Sequence, residues 1–437
     1  MTITLSPKDM SKSADRVAPK TTHIGVIGLG YVGIPLALRM AETGLRVTGF
    51  DVSERRNATL NAGQSPLHHI GHDQIAHLCS QGFEALADFS AAQDCDALVI
   101  CVPTPVDASR VPDLSFVEAA LDGLIPHLRA GQILALESTT WPGTTDELIC
   151  PKLEAAGFTV GQDIFVVYSP EREDPGNKAF ETRTIPKVIG GATPACLEVG
   201  KALYEHFIDE LVPVSSAKAA EMVKLLENIH RAVNIGLVNE IKVVSDSLGL
   251  DIFEVVDAAA TKPFGFRAYY PGPGIGGHCI PVDPFYLSWK AKQFGTPTRF
   301  IDLAGDVNEG MPTYVVDRIA AVLNRKGRAV HGAKILALGL AYKPDVDDLR
   351  ESPSLEVIEL LRARGAEITT CDPYCQLDHS DLAHLTSAGP ADLSAHDLAV
   401  LLTDHAAFDY EAIERHTPLV VDTRGRYRED GERVFRA

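Results

Sequence analysis

Cys279 lies in the run Gly274-Ile275-Gly276-Gly277-His278-Cys279-Ile280-Pro281-Val282-Asp283-Pro284. Glycines offer almost no apolar surface for a core thiol, and they let another backbone or a ligand approach closely, so a ligand could reach this sulfur. A thiol can add to an aldehyde, and Asp283, four residues on, supplies a carboxylate nearby. His278 is adjacent, but neighbouring side chains point apart in most backbone conformations, which leaves it a local contributor only. Near the other end of the chain, Gly28-Leu29-Gly30-Tyr31-Val32-Gly33 follows an apolar run and opens a helical pattern, and Asp51 closes the next apolar run. Glycines so placed admit a pyrophosphate to a helix N-terminus, and an acid at that distance accepts hydrogen bonds from the adenosine ribose. Asp51 repels a 2′-phosphate and favours NAD over NADP, a preference tempered by Arg55 and Arg56. The two motifs together imply an oxidoreductase that captures its own aldehyde product on a cysteine.

Other candidates are weaker by spacing alone. Lys224 and Asn228 stand four residues apart in a long helical pattern and so share a face. A solvated stripe is the expected default there; in a cleft, the ammonium and amide could stabilise an oxyanion. The segment Tyr168-Ser169-Pro170-Glu171-Arg172-Glu173-Asp174-Pro175-Gly176-Asn177 carries carboxylates after a predicted strand, one of which could serve as a general base, or the whole could be an acidic surface loop. His68, His69, His72 and His77 are close in sequence, yet no carboxylate–histidine frame accompanies them, and no metal is expected.

These residues need rigid elements beneath them. Residues 23–28 read as a buried strand, followed by a helix to about residue 43 with Pro35 in its first turn. Val47 to Asp51, Ala97–Val102, Ile133–Glu137 and Phe165–Tyr168 continue the strand–helix rhythm of a doubly wound parallel sheet. From Ser216 to Leu248 the spacing of Met222, Leu225, Leu226, Ile229, Val233 and Leu237 predicts one long helix, fit to bridge domains and to offer a dimer surface. Strands return at Lys334–Leu340, Glu367–Asp372, Leu398–Leu402 and Leu419–Asp422, with a helix over Leu355–Arg364. The expectation is an α/β chain of two Rossmann-like doubly wound domains joined by a long central helix and a helical dimerisation segment. Its parts would be a loose tail (1–20), an NAD-binding domain (21–213), a central helical domain carrying the Cys279 loop (214–311) and an α/β domain (312–437). No internal repeat is evident.

Composition narrows the class. The 437 residues carry a net charge of -19, which argues against broad nucleic-acid or acidic-membrane binding. No apolar stretch could span a bilayer, and the first twenty residues lack the apolar core of a signal peptide. The eight cysteines form no CxxC pair, which fits a reducing cytoplasm; Cys95, Cys101 and Cys371, in or beside predicted strands, read as inert core thiols.

With these residues laid out, the chain resembles the nucleotide-sugar 6-dehydrogenase family, which includes the UDP-glucose and GDP-mannose dehydrogenases. The resemblance covers nearly everything after the tail. It rests on Gly28–Gly33 with Asp51, Cys101-Val102-Pro103-Thr104-Pro105, Ser138-Thr139, Ser169-Pro170-Glu171, Lys224 with Asn228, and Gly276-Gly277-His278-Cys279 with Asp283. Leu340-Ala341-Tyr342-Lys343-Pro344 and Asp348-Leu349-Arg350-Glu351-Ser352 complete it. The runs around Glu171 and Cys279 look like the branch acting on UDP-N-acetylglucosamine, since Val282 stands where UDP-glucose enzymes usually carry Lys and the second Glu they carry near Pro175 is missing.

The resemblance implies roles that spacing does not. Cys279 would be the nucleophile, Lys224 and Asn228 the oxyanion donors, Asp283 with Thr139 the water holders, and Glu171 the base for thioester hydrolysis. NAD would meet Gly28, Gly30, Tyr31, Val32, Gly33, Asp51, Arg56, Pro103, Thr104, Thr139 and Arg350. The UDP-sugar would meet Glu171, Lys224, Asn228, Arg267, Tyr269, Tyr270, Gly276, Gly277, Lys343 and Arg424. Arg267 would act within a homodimer or larger homo-oligomer, and the product would feed surface polysaccharide synthesis. Remaining alternatives are the N-acetylmannosamine, N-acetylgalactosamine or glucose substrates, a two-electron 3-hydroxyacid or acyl-CoA dehydrogenase, and a non-catalytic NAD-binding redox sensor.

Overall fold

The computed structural model describes residues 22–67, 70–107, 109–172, 183–277, 279–375, 386–387, 390–428 and 431–437. The tail, His68, His69, His278 and the acidic stretch from Glu173 to Asn177 lie outside them. The chain divides into two compact units: Met1–Glu227 with Phe285–Thr296, and Asn228–Pro284 with Pro297–Ala437.

The first unit is built on β1 (His23–Ile27), β2 (Arg46–Phe50), β3 (Glu84–Leu86), β4 (Ala97–Ile100), β5 (Gln132–Leu136), β6 (Ile164–Tyr168), β7 (Lys187–Gly191) and β8 (Leu211–Pro213). They lie in the order β3-β2-β1-β4-β5-β6-β7-β8, parallel except where β7 runs against β6. Every residue of β1, β4, β5 and β6 is buried, because helices cover both faces of a parallel sheet; this is why these strands read as unbroken apolar runs. The helix Gly33–Glu42 begins at the end of the fingerprint and seats Ile34, Ala37 and Met40 in the core.

The second unit has β9 (Lys334–Leu338), β10 (Glu367–Cys371), β11 (Thr386–Ser387), β12 (Leu398–Leu401), β13 (Val420–Asp422) and β14 (Val434–Arg436), all parallel, in the order β11-β10-β9-β12-β13-β14. Alternate residues feed separate cores on its two faces, as the strand period requires. Ile335, Ala337, Leu398 and Val400 meet the helices Arg299–Arg325 and Pro353–Ala363, whereas Leu336, Leu338, Ala399 and Leu401 meet the helix Tyr410–His416.

Both sheets therefore follow one plan, with the strand order reversing beside the first strand of each, and the sequence had shown no repeat. The match extends to the turns. Gly28 (φ 91°) and Gly339 (φ 83°) each end the first strand, and a Cβ on either would strike the carbonyl of Cys101 or Thr403. The next N–H in each case donates to an acid that follows the second strand: Leu29 to Asp51 at 2.9 Å, and Leu340 to Asp372 at 2.6 Å.

The predicted long helix is present as Ala217–Leu248. Its apolar stripe is only partly core: Leu225 and Ile229 are buried, but Leu226 and Leu237 are exposed. The helix Arg299–Arg325, which contains Pro312, was not anticipated.

Candidate functional site

In the first unit the fingerprint glycines have three distinct duties. Gly28 makes the tight turn. Gly33 is pressed so close to the Gly28 carbonyl that a Cβ would lie 1.9 Å from it. A Cβ on Gly30 would meet nothing within 4 Å, leaving open space before the helix N-terminus, which has no side-chain cap. That opening before an uncapped helix start fits a pyrophosphate. Asp51 takes N–H donors from Leu29 and Ser53 (both 2.9 Å) and pairs with Arg56 at 2.8 Å. Arg56 is therefore turned onto the carboxylate. Thr104 is buried with its carbonyl accepting from the Tyr286 hydroxyl at 3.0 Å, Pro103 is exposed, and Tyr31 and Val32 complete the turn.

The loops after β5 and β6 hold the next group. Thr139 is half-buried, beside Ser138, whose hydroxyl donates to the Val102 carbonyl at 2.8 Å. Glu171 accepts the Arg172 N–H through Oε1 (2.6 Å) and the Lys187 ammonium through Oε2 (3.2 Å). Lys224 Nζ donates to the Glu171 carbonyl at 2.5 Å. Lys224 and Asn228 are 9% and 6% exposed, so the solvated-stripe expectation fails: their shared face is covered, and tertiary packing decides what spacing could not. Arg172 pairs with Glu227 at 2.6 Å.

Sequence reasoning missed what stands behind Glu171. Lys187, in β7, is 4% exposed and lies 2.8 Å from the carboxylate of Glu137, whose other oxygen accepts from the Tyr204 hydroxyl at 2.6 Å. Burial pushes the Glu137 carboxyl up, and the Lys187 ammonium and Tyr204 hydroxyl oppose it. Burial also works against the Lys187 charge, but Glu137 and Glu171 outweigh it and move that ammonium above its usual range. The available signal was a lysine opening the otherwise apolar stretch Lys187-Val188-Ile189, and a glutamate closing the apolar run of β5.

In the second unit, Asn228 Nδ2 donates to Asp283 Oδ2 at 2.5 Å, with both side chains buried. Asp283 opens the helix Asp283–Gln293, and its N–H donates to the Cys279 carbonyl at 2.8 Å, which ties the half-buried cysteine to that helix start. The glycines before it are required by close packing. A Cβ on Gly276 would lie 2.6 Å from Cβ of Tyr342, and one on Gly277 (φ 91°) would lie 2.9 Å from the same ring. The Gly277 N–H donates to the Arg350 carbonyl at 3.1 Å.

Lys343 follows Tyr342 in this loop, its Nζ 5.8 Å from the Tyr342 ring centroid. Arg350 is forked onto Asp348. Arg424, just past β13, donates from Nε to the Leu402 carbonyl (2.6 Å), and its Nη2 is buried with no partner among the described residues. Burial pulls this guanidinium's affinity for its proton down, with Asp404 and Asp422 opposing. Gly272 packs against it so closely that a Cβ would lie 2.7 Å from Nη1. A buried donor without a partner, flanked by a glycine, is an arrangement that suits an anionic or polar ligand. Tyr269 contacts His230 at 3.2 Å, the Tyr270 hydroxyl donates to Asp257 at 2.7 Å, and Arg267 is exposed with its guanidinium 5.9 Å from the Tyr269 ring centroid.

The His-rich segment places His72 on the Ser65 N–H and His77 beside Gln81, and among the described residues no His, Cys, Asp or Glu group is arranged to hold a metal. All eight cysteines are free thiols; burial pushes Cys95 up to about 12 and also raises Cys101 and Cys371. Among the described residues no helix is long and apolar enough to cross a membrane.

Residues 22–208 match the NAD binding domain of the UDP-glucose/GDP-mannose dehydrogenase family, residues 218–310 its central domain, and residues 336–429 its UDP binding domain. An NDP-N-acetyl-D-galactosaminuronic acid dehydrogenase of Ralstonia nicotianae is 35% identical over 414 residues, covering 92% of this chain and 95% of that protein. A UDP-N-acetyl-D-glucosamine 6-dehydrogenase of Pseudomonas aeruginosa is 33% identical over 394 residues, covering 89% and 92%. The solved UDP-D-ManNAc dehydrogenase of Pyrococcus horikoshii superposes with a TM-score of 0.86 at 30% identity, covering 95% of this chain and 98% of that one.

Proposed function

Because the chain belongs to the UDP-glucose/GDP-mannose dehydrogenase family and is an NAD-dependent nucleotide-sugar dehydrogenase, we propose that it oxidises C6 of UDP-N-acetyl-D-glucosamine to the uronate. The observation that carries the chemistry is the buried Asn228–Asp283 pair joined through the backbone to the glycine-held Cys279. Bound at the fingerprint turn, NAD+ would supply the hydride acceptor for each of two oxidations. In the first, a proton leaves the C6 hydroxyl through water held by Asp283 with Thr139. The Cys279 sulfur then bonds to the aldehyde carbon, giving an sp3 thiohemiacetal that again carries a transferable hydride. Lys224 and Asn228 stabilise the negative charge on its oxygen. The second hydride loss leaves a thioester. Water adds, Glu171 takes its proton, the C–S bond breaks, and carboxylate and thiol are released. The sum is one alcohol, one water and two NAD+ to one carboxylate, two NADH and three protons.

In this reading Lys343 and the partnerless Arg424 nitrogen bind the UDP, with Tyr269 or Tyr270 near the phosphates, while Arg350 serves the cofactor. Exposed Leu237, Val244, Leu248, Phe300 and Leu303 support a homodimer, in which Arg267 would reach the partner's sugar. The reducing cytoplasm would keep Cys279 a thiol. The acetamido-sugar assignment rests on the motifs around Glu171 and Cys279. A second reading, UDP-N-acetylmannosamine, is favoured by a UDP-N-acetyl-D-mannosamine dehydrogenase of Yersinia pestis at 36% identity. The test is NADH yield per mole of limiting sugar nucleotide across the three N-acetylhexosamines and UDP-glucose. Two NADH from UDP-N-acetylglucosamine and little from the rest is expected. One NADH would refute the thiol mechanism; two from another sugar would refute only the sugar.

A further inference from the structure

The interior of the first unit holds a charged chain that the reaction scheme leaves unused. Tyr204, on the helix Pro194–Tyr204, donates to Glu137 at 2.6 Å; Glu137 meets Lys187 at 2.8 Å; Lys187 meets Glu171 at 3.2 Å. Tyr204 is fully buried, and Glu137 and Lys187 are 2% and 4% exposed. Burying a lysine among apolar strands is costly unless a charged partner repays it, and here Glu137 alone would neutralise the ammonium. The second, longer contact puts the same ammonium against Glu171, at the edge of the buried region.

We propose that Lys187 is a positioning residue for thioester hydrolysis, holding the Glu171 carboxylate ionised and in place while Glu137 and Tyr204 hold Lys187. This rests on the reading of Glu171 as the base that takes the proton of the attacking water. A carboxylate protonated by solvent cannot take that proton, so a cation fixed beside it keeps hydrolysis running at lower pH. The orientation is set from two sides: the Arg172 N–H holds Oε1 and Lys187 holds Oε2. Among the described residues, the other titratable or charged groups around Glu171 include Glu137, the Cys101 thiol, the Lys224 ammonium on the Glu171 carbonyl, and Arg172 paired with Glu227. Lys187 places its charged nitrogen on the carboxylate itself.

The two neighbours of Glu171 in this chain have opposite charges, so removing them must have opposite effects. Lys187→Met removes the cation and makes Glu171 easier to protonate, which moves the acidic limb of the hydrolysis rate upward. Glu137→Gln keeps the shape and leaves the Lys187 charge undivided on Glu171, which moves the limb downward. The experiment follows the thioester by rapid acid quench after a single burst of NADH, over a range of pH, using the full-length enzyme. Lys187→Met is expected to keep the two-NADH burst, to slow thioester decay at neutral pH about tenfold or more, and to raise the limb by ~1–3 pH units. Lys187→Arg should restore it, and Glu137→Gln should lower it. Limbs that coincide with the parent enzyme, or that move the same way in both variants, overturn the proposal. If Lys187→Met does not fold, the Glu137→Gln limb decides: a downward shift supports it and an unmoved limb overturns it. Glu171→Gln separates the two levels, since normal thioester decay in that variant removes the base reading itself.

Discussion

His405 is the residue whose removal most directly tests how the second unit fixes the loop that carries Lys343. Its imidazole is buried, and Nδ1 accepts the Asp345 N–H at 3.0 Å, which places the ring proton on Nε2, donated to Asp372 at 3.0 Å. Asp372 also takes the N–H groups of Leu340 and Ala341, and the Asp345 carboxylate takes that of Ala406. Both ends of the segment carrying Lys343 are thus tied to one histidine–aspartate pair, and Asp345 is held at φ 60°, unusual for a residue with a side chain. His405→Ala leaves one part-buried N–H without its acceptor and takes one donor from a buried carboxylate. At ~1–3 kcal/mol for each loss, the variant should be less stable by roughly 3 kcal/mol. The assay is urea unfolding with the KM for the UDP-sugar measured alongside. KM is expected to rise about tenfold, as Lys343 loses a fixed position worth ~1.4 kcal/mol of binding, with the NAD+ KM unchanged. Acid adds a signed check. His405 and the backbone N–H groups hold the Asp372 carboxyl well below its usual range despite burial. Its contribution is therefore full above about pH 4 and is withdrawn as pH falls below that. The parent should outlast His405→Ala on acidification. A stability loss under ~0.5 kcal/mol with an unchanged sugar KM would refute this reasoning.

Three further outcomes are expected. Cys279→Ser should bind NAD+ and UDP-sugar normally, as measured by calorimetry, yet form no uronate; normal two-NADH turnover would refute the nucleophile assignment. Arg424→Met should raise the UDP-sugar KM about tenfold or more at a stability cost of only about 1 kcal/mol, since it removes the Nε bond to the Leu402 carbonyl but also a buried Nη2 with no partner among the described residues; a large fall in melting temperature with unchanged KM would point to a purely structural arginine. Asp51→Asn should raise the NAD+ KM roughly tenfold, about 1.4 kcal/mol for a charge-assisted ribose bond, with the sugar KM unmoved in steady-state assays.

What was legible in the sequence was whatever glycine or a continuous apolar run enforces. Gly28 and Gly33 are required by backbone crowding, and β1, β4, β5 and β6 are buried on both faces, so both leave marks in residue type. Lys224 and Asn228 were ambiguous because helical spacing fixes a shared face but not whether that face is covered. Lys187 was invisible because a strand lysine reads as an exposed edge until its buried partners, Glu137 and Tyr204, are placed by elements 50 residues before it and 17 after. The helix Arg299–Arg325 escaped notice, and Pro312 within it is a residue that usually marks a helix end.

The two doubly wound sheets were expected from the strand–helix rhythm, yet their shared plan leaves no internal repeat, because it is carried by backbone hydrogen bonds and not by side-chain identity. It also explains why only one of the two switch points suits a dinucleotide. Asp51 accepts three donors, from Leu29, Ser53 and the half-exposed Arg56, so one of about four lone-pair positions remains for a ribose hydroxyl. Asp372 sits at the matching place but accepts five, from Leu340, Ala341, Tyr374, Cys375 and His405. It has no capacity left to read a ribose. The helix that would present its N-terminus is also displaced: it starts at Gly33, five residues after the first glycine, in one unit, but at Pro353, fourteen residues after Gly339, in the other. The intervening loop brings in Lys343. On the proposed reading, the same fold exchanges a helix-end and carboxylate site for one built on Lys343 and the Arg424 nitrogen that has no partner among the described residues, which is the chemistry a UDP moiety requires.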